Sequence, residues 1–453
     1  MIYVVVFCSI ILATVFLSRA LERKSILNSV ISRKILHVVA IGLSALSVFY
    51  IDIVVLQIIT ASCLPFLLFI VSKGFFRDPQ TKRRSWGIVY FNLVFTVLVY
   101  IFPQAPALVF FPLMILALGD GLAAIAGVSL AKKKGKSFYG FLAFFLSSHA
   151  VFILSPKVFP VPDLPIETAF ILSLALASIE FITKRSIDNL TVPLAALYWL
   201  LVDHLSSDYI PLIFAGIAIG AWIIYKLKWL DLDGSILAAI IALVYLSSPF
   251  PEALIPGFIF FATGSVLSKI PGGNPAESAR NAMQVFSNGG PALFAIGLFY
   301  TTGQSAWLLA SIVSFSAALS DTVSSELGTR FSSRTFDILG LRKLKKGTSG
   351  GVSLAGFLFG IIASGFLALT TSVFIDLSVE EISIIWVFGF LGNLTDSVVG
   401  SLVQSKSFQV SSGMWIDQER AQKGPHAGLS WFDNNLTNLF SIAMVTILSY
   451  FVF

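Results

Sequence analysis

Six carboxylates stand within or at the edge of otherwise apolar stretches of this 453-residue chain: Asp120, Glu180, Asp188, Asp321, Glu326 and Asp396. A charged side chain in hydrocarbon is costly, so an acid in such a place is a functional candidate by default. Two lysine-glycine-hydroxyl segments accompany them, Gly135-Lys136-Ser137 and Lys345-Lys346-Gly347-Thr348-Ser349-Gly350-Gly351-Val352-Ser353. Magnesium takes one or two carboxylates and completes its shell with water and substrate phosphates. Lysines neutralise phosphate charge, and N–H groups at a helix start bind anions directly. Acids beside such loops suit a magnesium–polyphosphate complex.

The second loop is the more specific: glycines that permit close backbone approach alternate with hydroxyls directly after two lysines. The competing reading is a small-residue helix interface. Gly135-Lys136-Ser137 is not a P-loop, because position 130 is Leu and an apolar helix, not a strand, precedes it. Asp396, Gly400 and Gln404 recur at i, i+4 and i+8, one face of a helix. Asn434, Asn435 and Asn438 open the last apolar stretch, where unpaired amides are expensive. Lys34 and His37 follow Arg33 within one helical turn. His149 lies far from every acid, His204 and His426 are loop residues, and no histidine pair has transition-metal spacing.

The elements that must position these residues are membrane helices. Of the chain, 56% is hydrophobic and 12% charged, and the mean hydropathy is +0.88; soluble domains carry about 25% charged residues. With two cysteines, Cys8 and Cys63, both in apolar runs, a disulfide framework is excluded. About sixteen apolar segments of spanning type follow one another. Placing alternate loops on one side puts every Lys and Arg except Lys157 there, which predicts that side to be cytoplasmic and both termini outside. The net charge of +6 is thereby a topological signal, with anionic-lipid contacts as its secondary use, and no nucleic-acid partner is expected. The expected fold is an all-α polytopic membrane protein with active sites facing the cytoplasm.

Two stretches repeat one order: an acid-bearing helix (Leu118–Gly127; Leu319–Gly328), a lysine-glycine loop, a glycine-rich helix start and an Asn-Leu-Thr. They predict two related parallel lobes, residues 1–205 and 206–453.

Four motifs in order resemble the dolichol kinase/phytol kinase family over roughly residues 30–202: Ser32-Arg33-Lys34-Ile35-Leu36-His37, Leu118-Gly119-Asp120-Gly121, Gly135-Lys136-Ser137 with Gly140-Phe141-Leu142, and Glu180 followed by Asp188-Asn189-Leu190-Thr191. One departure is Ile187, where the family often has a further acid. Residues 230–450 resemble phytyl-phosphate kinases through Ser320–Gly328, Lys346–Ser353, Gly392–Gly400 and Asn434–Asn438. The resemblance implies CTP-dependent phosphorylation of an isoprenoid alcohol by the first lobe, and of its monophosphate to the diphosphate by the second. It implies Asp120, Asp188, Asp321, Glu326 and Asp396 on Mg2+. Phosphate would meet Lys34, His37, Lys136, Ser137 and Asn189 in the first lobe. In the second it would meet Lys346, Gly347, Thr348, Ser349, Gly350, Gly351 and Ser353, with Asn434, Asn435 and Asn438. The same residues leave open a cytidylyltransferase making a CDP-lipid. A secondary transporter is the reading from another class; it calls for ionisable groups on both faces, and the outer half of the spans is nearly free of them.

Overall fold

The computed structural model describes residues 2–73, 86–130, 136–183, 187–201, 210–246, 250–269, 279–332, 335–340, 342, 344–410, 412–417 and 425–453. The basic runs at Arg77 and 82–84, 132–134, 184–185 and 420–423, together with Gly135 and His204, lie outside the described residues. The chain forms two compact units, Met1–Phe214 and Ala215–Phe453.

Sixteen helices account for the described residues' architecture, one for each apolar stretch of the sequence. In the first unit they are α1 (Ile2–Arg23), α2 (Ser29–Tyr50), α3 (Ile53–Ser72), α4 (Gly87–Ile101), α5 (Pro106–Leu130), α6 (Phe138–Leu154), α7 (Ile166–Ile182) and α8 (Asp188–Leu201). Helix α9 (Ile210–Lys226) contains the boundary, and the second unit continues with α10 (Leu232–Leu246), α11 (Ile255–Lys269), α12 (Ala282–Thr302), α13 (Ser305–Phe331), α14 (Leu354–Thr371), α15 (Val379–Leu402) and α16 (Asn434–Tyr450). Nine of the described helices are long and apolar enough to cross a membrane. The protein is an all-α polytopic membrane protein.

Each unit is organised around one buried helix. In the first it is α5, packed by α2, α6 and α8, with Phe110, Phe111, Leu113, Ile115 and Leu116 buried. Its residues Leu116–Asp120 form a π-turn, four residues after Pro112, which cannot donate to the helix ladder. Such single-turn bulges recur at functional sites, and this one ends on Asp120. By contrast α1 is almost wholly exposed, with Ile2, Val5, Leu12 and Phe16 outward, a surface that only lipid or another apolar partner suits.

In the second unit the buried helix is α13, packed by α11, α12, α14, α15 and α16. Its core face carries Ser311, Ser314, Ser316 and Ser320, all fully buried. Their hydroxyls donate to carbonyls or pair across helices: Ser320 Oγ to Gly360 O at 2.9 Å, Ser314 Oγ with Thr446 Oγ1 at 2.7 Å. Small hydroxyl residues let backbones approach and satisfy themselves without water.

Among the described residues five short strands interrupt the helices of this unit: β1 (Phe336–Asp337), β2 (Gly351–Val352), β3 (Lys406–Gln409), β4 (Met414–Asp417) and β5 (His426–Ala427). β1 pairs antiparallel with β2, and β3 lies between β4 and β5, with Lys406 opposite Asp417 and Ala427. Two expectations change here. The glycines at 347–351 do not open a helix but form turns and β2, with Ser353 capping α14. Helix α15 ends at Leu402, so Gln404 is not on the face of Asp396. The first segment is glycine-rich and the second leads into β3, and both find hydrogen bonds in strand pairs and turns that the apolar pattern of the sequence does not encode.

Candidate functional site

In the first unit, α2, the π-turn of α5, the segment before α6, the end of α7 and the start of α8 converge on three carboxylates. One oxygen each of Asp120, Glu180 and Asp188 lies within 4.8 Å of the others, and all three residues are buried. Lys34 Nζ lies 2.6 Å from Asp120 Oδ2, and His37 Nε2 lies 3.1 Å from the same oxygen, at an angle outside hydrogen-bond geometry. Lys136 bridges the other two, bonding Glu180 Oε1 and lying 3.5 Å from Asp188 Oδ2. Burial pulls the Lys136 pKa down, but the Asp188 and Glu180 charges outweigh it and hold the value above the ordinary one. Glu180 Oε2 is buried without a hydrogen-bond partner among the described residues. Three buried acids with one oxygen unspent form a donor set that fits a hard divalent cation. Glu180 is the acid that the motif reading left out of the set; its signal is its distance of eight residues from Asp188, which a helix end followed by a turn folds into one cluster.

Ser137 caps α6, its hydroxyl accepting from Gly140 N at 3.1 Å. Its O–H is left to donate, and Asn189 donates from its amide nitrogen to Gly87 O at 2.9 Å.

In the second unit a cavity of about 810 Å³ opens among α13, α14, α15, α16 and the strands. Asp321, Glu326 and Asp396 all line it, as do Gly347, Thr348, Ser349, Gly350, Gly351, Ser353, Asn434 and Asn435. Asp396 is buried, and Asn438, with its amide turned, donates to Asp396 Oδ2 at 3.2 Å and to Asn434 O at 2.8 Å. Glu326 pairs with Arg330 at 3.4 Å. Lys346 is exposed and not among the lining residues. Gly347 and Gly350 adopt φ of +79° and +81°, left-handed turns that favour glycine. At Gly350 a Cβ would stand 2.6 Å from Ser401 N, so the loop lies flat on the end of α15.

Gln404 also lines the cavity, and residues missing from the motif reading complete it: Asp417, Lys228, Lys269 and Arg280. Asp417 accepts from Ser349 N and from Gln404 Nε2, both at 3.3 Å, and Lys406 beneath it is fully buried, bonded to Gly400 O. Burial lowers the Lys406 pKa to about 8, Asp417 opposing. Apart from Lys269, the last residue of α11, these residues sit on strands and loops, where apolar periodicity has nothing to mark.

The two units repeat one packing detail. Seven residues after Asp120 stands Gly127, and seven after Asp321 stands Gly328; a Cβ on either would lie 3.2 Å from the cap hydroxyl, Ser137 Oγ or Ser353 Oγ. Three residues after each cap stand Gly140 and Gly356, facing the carbonyls of Ala123 and Ser324, each three residues after its acid.

Comparison with known proteins places the second unit. The model of the family described as integral membrane protein DUF92 matches residues 215–446. The chain belongs to this family. Its DUF92 region covers the whole cavity described above. Protein PGR of Arabidopsis thaliana is 26% identical over 258 residues, 50% of this chain and 89% of that protein. An uncharacterized membrane protein of Methanocaldococcus jannaschii is 32% identical over 199 residues, 42% of this chain and 81% of that one. The chloroplastic Protein VTE6 of Arabidopsis thaliana is 27% identical over 141 residues, 31% of this chain and 36% of that protein. No solved structure matches.

Proposed function

We propose that the chain is a membrane-embedded bifunctional isoprenoid kinase. The first unit phosphorylates a phytol-like prenyl alcohol from CTP, and the second converts the monophosphate to the diphosphate. The observation that carries this reading is the gathering of Asp120, Glu180 and Asp188 with Lys34, His37 and Lys136 at one buried point. Phosphoryl transfer asks a protein mainly to position reactants and to neutralise charge, and this set offers both signs of charge within a few ångströms. The motif resemblances to prenol and prenyl-phosphate kinases support the substrate class, and the positive-inside pattern supports an orientation in which both sites would be within reach of a cytosolic nucleotide.

Asp120, Glu180 and Asp188 would hold Mg2+ in the first unit; Asp321 and Asp396 would do so in the second. The cation would neutralise phosphate charge and fix the γ-phosphoryl for in-line attack. Lys34, His37 and Lys136 orient the polyphosphate in the first unit. In the second, the N–H groups and hydroxyls of the 347–353 loop take that part. The lipid acceptor enters from the bilayer and keeps its chain among apolar side chains, leaving only its oxygen at the site.

The test is purified full-length protein in detergent with CTP, Mg2+ and phytol, geranylgeraniol, farnesol or dolichol, followed by mass. The expected products are mono- and diphosphates. Asp321→Asn should stop at the monophosphate, and Asp120→Asn should make diphosphate only when monophosphate is supplied. A CDP-lipid product, or no phosphorylation of any prenol with any nucleoside triphosphate, would overturn the reading.

A further inference from the structure

Arg280 lines the cavity of the second unit, yet none of the motifs absorbs it. Its backbone is clamped, since Arg280 N bonds Trp229 O at 3.4 Å and Asp231 N bonds Arg280 O at 3.0 Å. Its guanidinium is docked on α11, where Nη2 donates to Gly264 O at 3.0 Å. Gly264 makes room for the fork: a Cβ there would stand 3.2 Å from Nη1 and 3.3 Å from Nη2. The same Cβ would be 3.3 Å from the methyl of Thr322, the residue after Asp321, so the guanidinium sits beside the acid-bearing helix. Among the described residues no carboxylate approaches it within ion-pair distance; the pairs found involve other cations. Burial pulls its pKa below the ordinary value, with only Glu326's more distant charge opposing. Lys228 and Lys269 line the same cavity.

We propose that Arg280, with Lys228 and Lys269 beside it, binds the phosphomonoester of the lipid acceptor. A fixed, partly buried guanidinium facing a cavity without a carboxylate partner is an anion site, and its planar fork matches phosphate oxygens bidentately. The 347–353 loop offers its own donors on other elements, β2 and the α14 cap, so the cavity holds two separate sets of phosphate-binding groups. That is what a reaction between a nucleotide and a phosphorylated acceptor requires. Helix α11, on which the guanidinium rests, turns Phe258 and Val266 outward, a surface suited to a prenyl chain. The assignment rests on the kinase reading of this unit for the acceptor's identity, not for the anion site itself.

The experiment is calorimetric titration of the full chain in detergent with geranylgeranyl monophosphate, geranylgeraniol, inorganic phosphate and CTP. Arg280→Gln should weaken the lipid monophosphate about tenfold or more, the range of a charge-assisted bond, and leave CTP and the alcohol unchanged. Gly264→Ala, which keeps the charge but crowds the fork, should weaken the same ligand alone, and Arg280→Lys should fall between Arg280→Gln and the parent. An unchanged thermal midpoint in detergent certifies that each variant is folded. Equal monophosphate affinity in parent and Arg280→Gln, loss of CTP affinity instead, or inorganic phosphate binding as tightly as the lipid would each overturn the proposal. If the monophosphate binds through Arg280 but is never phosphorylated, the kinase reading fails and the site stands.

Discussion

Gly127 faces the hydroxyl of Ser137 so closely that a Cβ would stand 3.2 Å from Oγ, and Gly328 faces Ser353 Oγ at the same distance. At Gly328 the Cβ would also meet the backbone of Gly356, at 2.9 Å from Cα, whereas at Gly127 the hydroxyl is the neighbour recorded within 4 Å among the described residues. The two substitutions to Ala therefore differ. Gly328→Ala should cost about 1–3 kcal/mol, the usual cost of overpacking, and Gly127→Ala less, because a serine rotor yields where a main chain does not. Thermal midpoints in detergent give the order.

Lys34 and Asp120 form a buried pair at 2.6 Å. Breaking it from one side leaves an uncompensated charge, which costs about 3–5 kcal/mol. Asp120→Asn and Lys34→Met should each be destabilising, and the double variant should recover most of the loss while remaining unable to phosphorylate the alcohol. Stability restored together with activity would show that the pair is structural.

Asp396 is buried against Asn438 while lining the cavity. Replacing it with Asn keeps the shape and removes the charge. The expected result is a fall of about a hundredfold or more in monophosphate phosphorylation, the scale of losing several kcal/mol of cation-mediated stabilisation. Alcohol phosphorylation should be unaffected, and measuring the two steps separately decides it.

Lys406, held to about pKa 8 by burial, makes stability depend on pH. Below about pH 8 both folded and unfolded states carry the charge, and the folded state bears its full desolvation cost. Between there and the ordinary lysine value, near 10.4, the folded state has released the proton and the unfolded state has not, so stability rises with pH. Parent protein should gain in thermal midpoint from pH 8 to 10 relative to Lys406→Met, which lacks the proton. Parallel curves would contradict the assignment.

Removing divalent cations should abolish both phosphorylation steps. Manganese, followed by its paramagnetic resonance, should bind the parent protein and bind Glu180→Gln about ten- to a hundredfold more weakly, because the substitution removes a carboxylate oxygen of Glu180 that has no partner among the described residues. Equal binding would exclude Glu180 as a ligand.

How much of this was readable from residues alone follows from what apolarity encodes. The number and order of the helices are set by runs of apolar side chains, which fold as helices in lipid because no other local structure satisfies the backbone there; Ile2–Arg23 through Asn434–Tyr450 follow directly. The acids were also legible, since a charge within such a run stands out. Pattern did not encode the π-turn that ends on Asp120, the closing of Glu180 onto Asp188 through Lys136, or the strands that bring Asp417 and the 347–351 glycines to one cavity. Those are long-range pairings among polar residues, whose energies depend on which partners meet. Arg280 shows the difference most plainly: on the chain it is one more loop cation, and only its docking on Gly264 makes it a wall of a cavity.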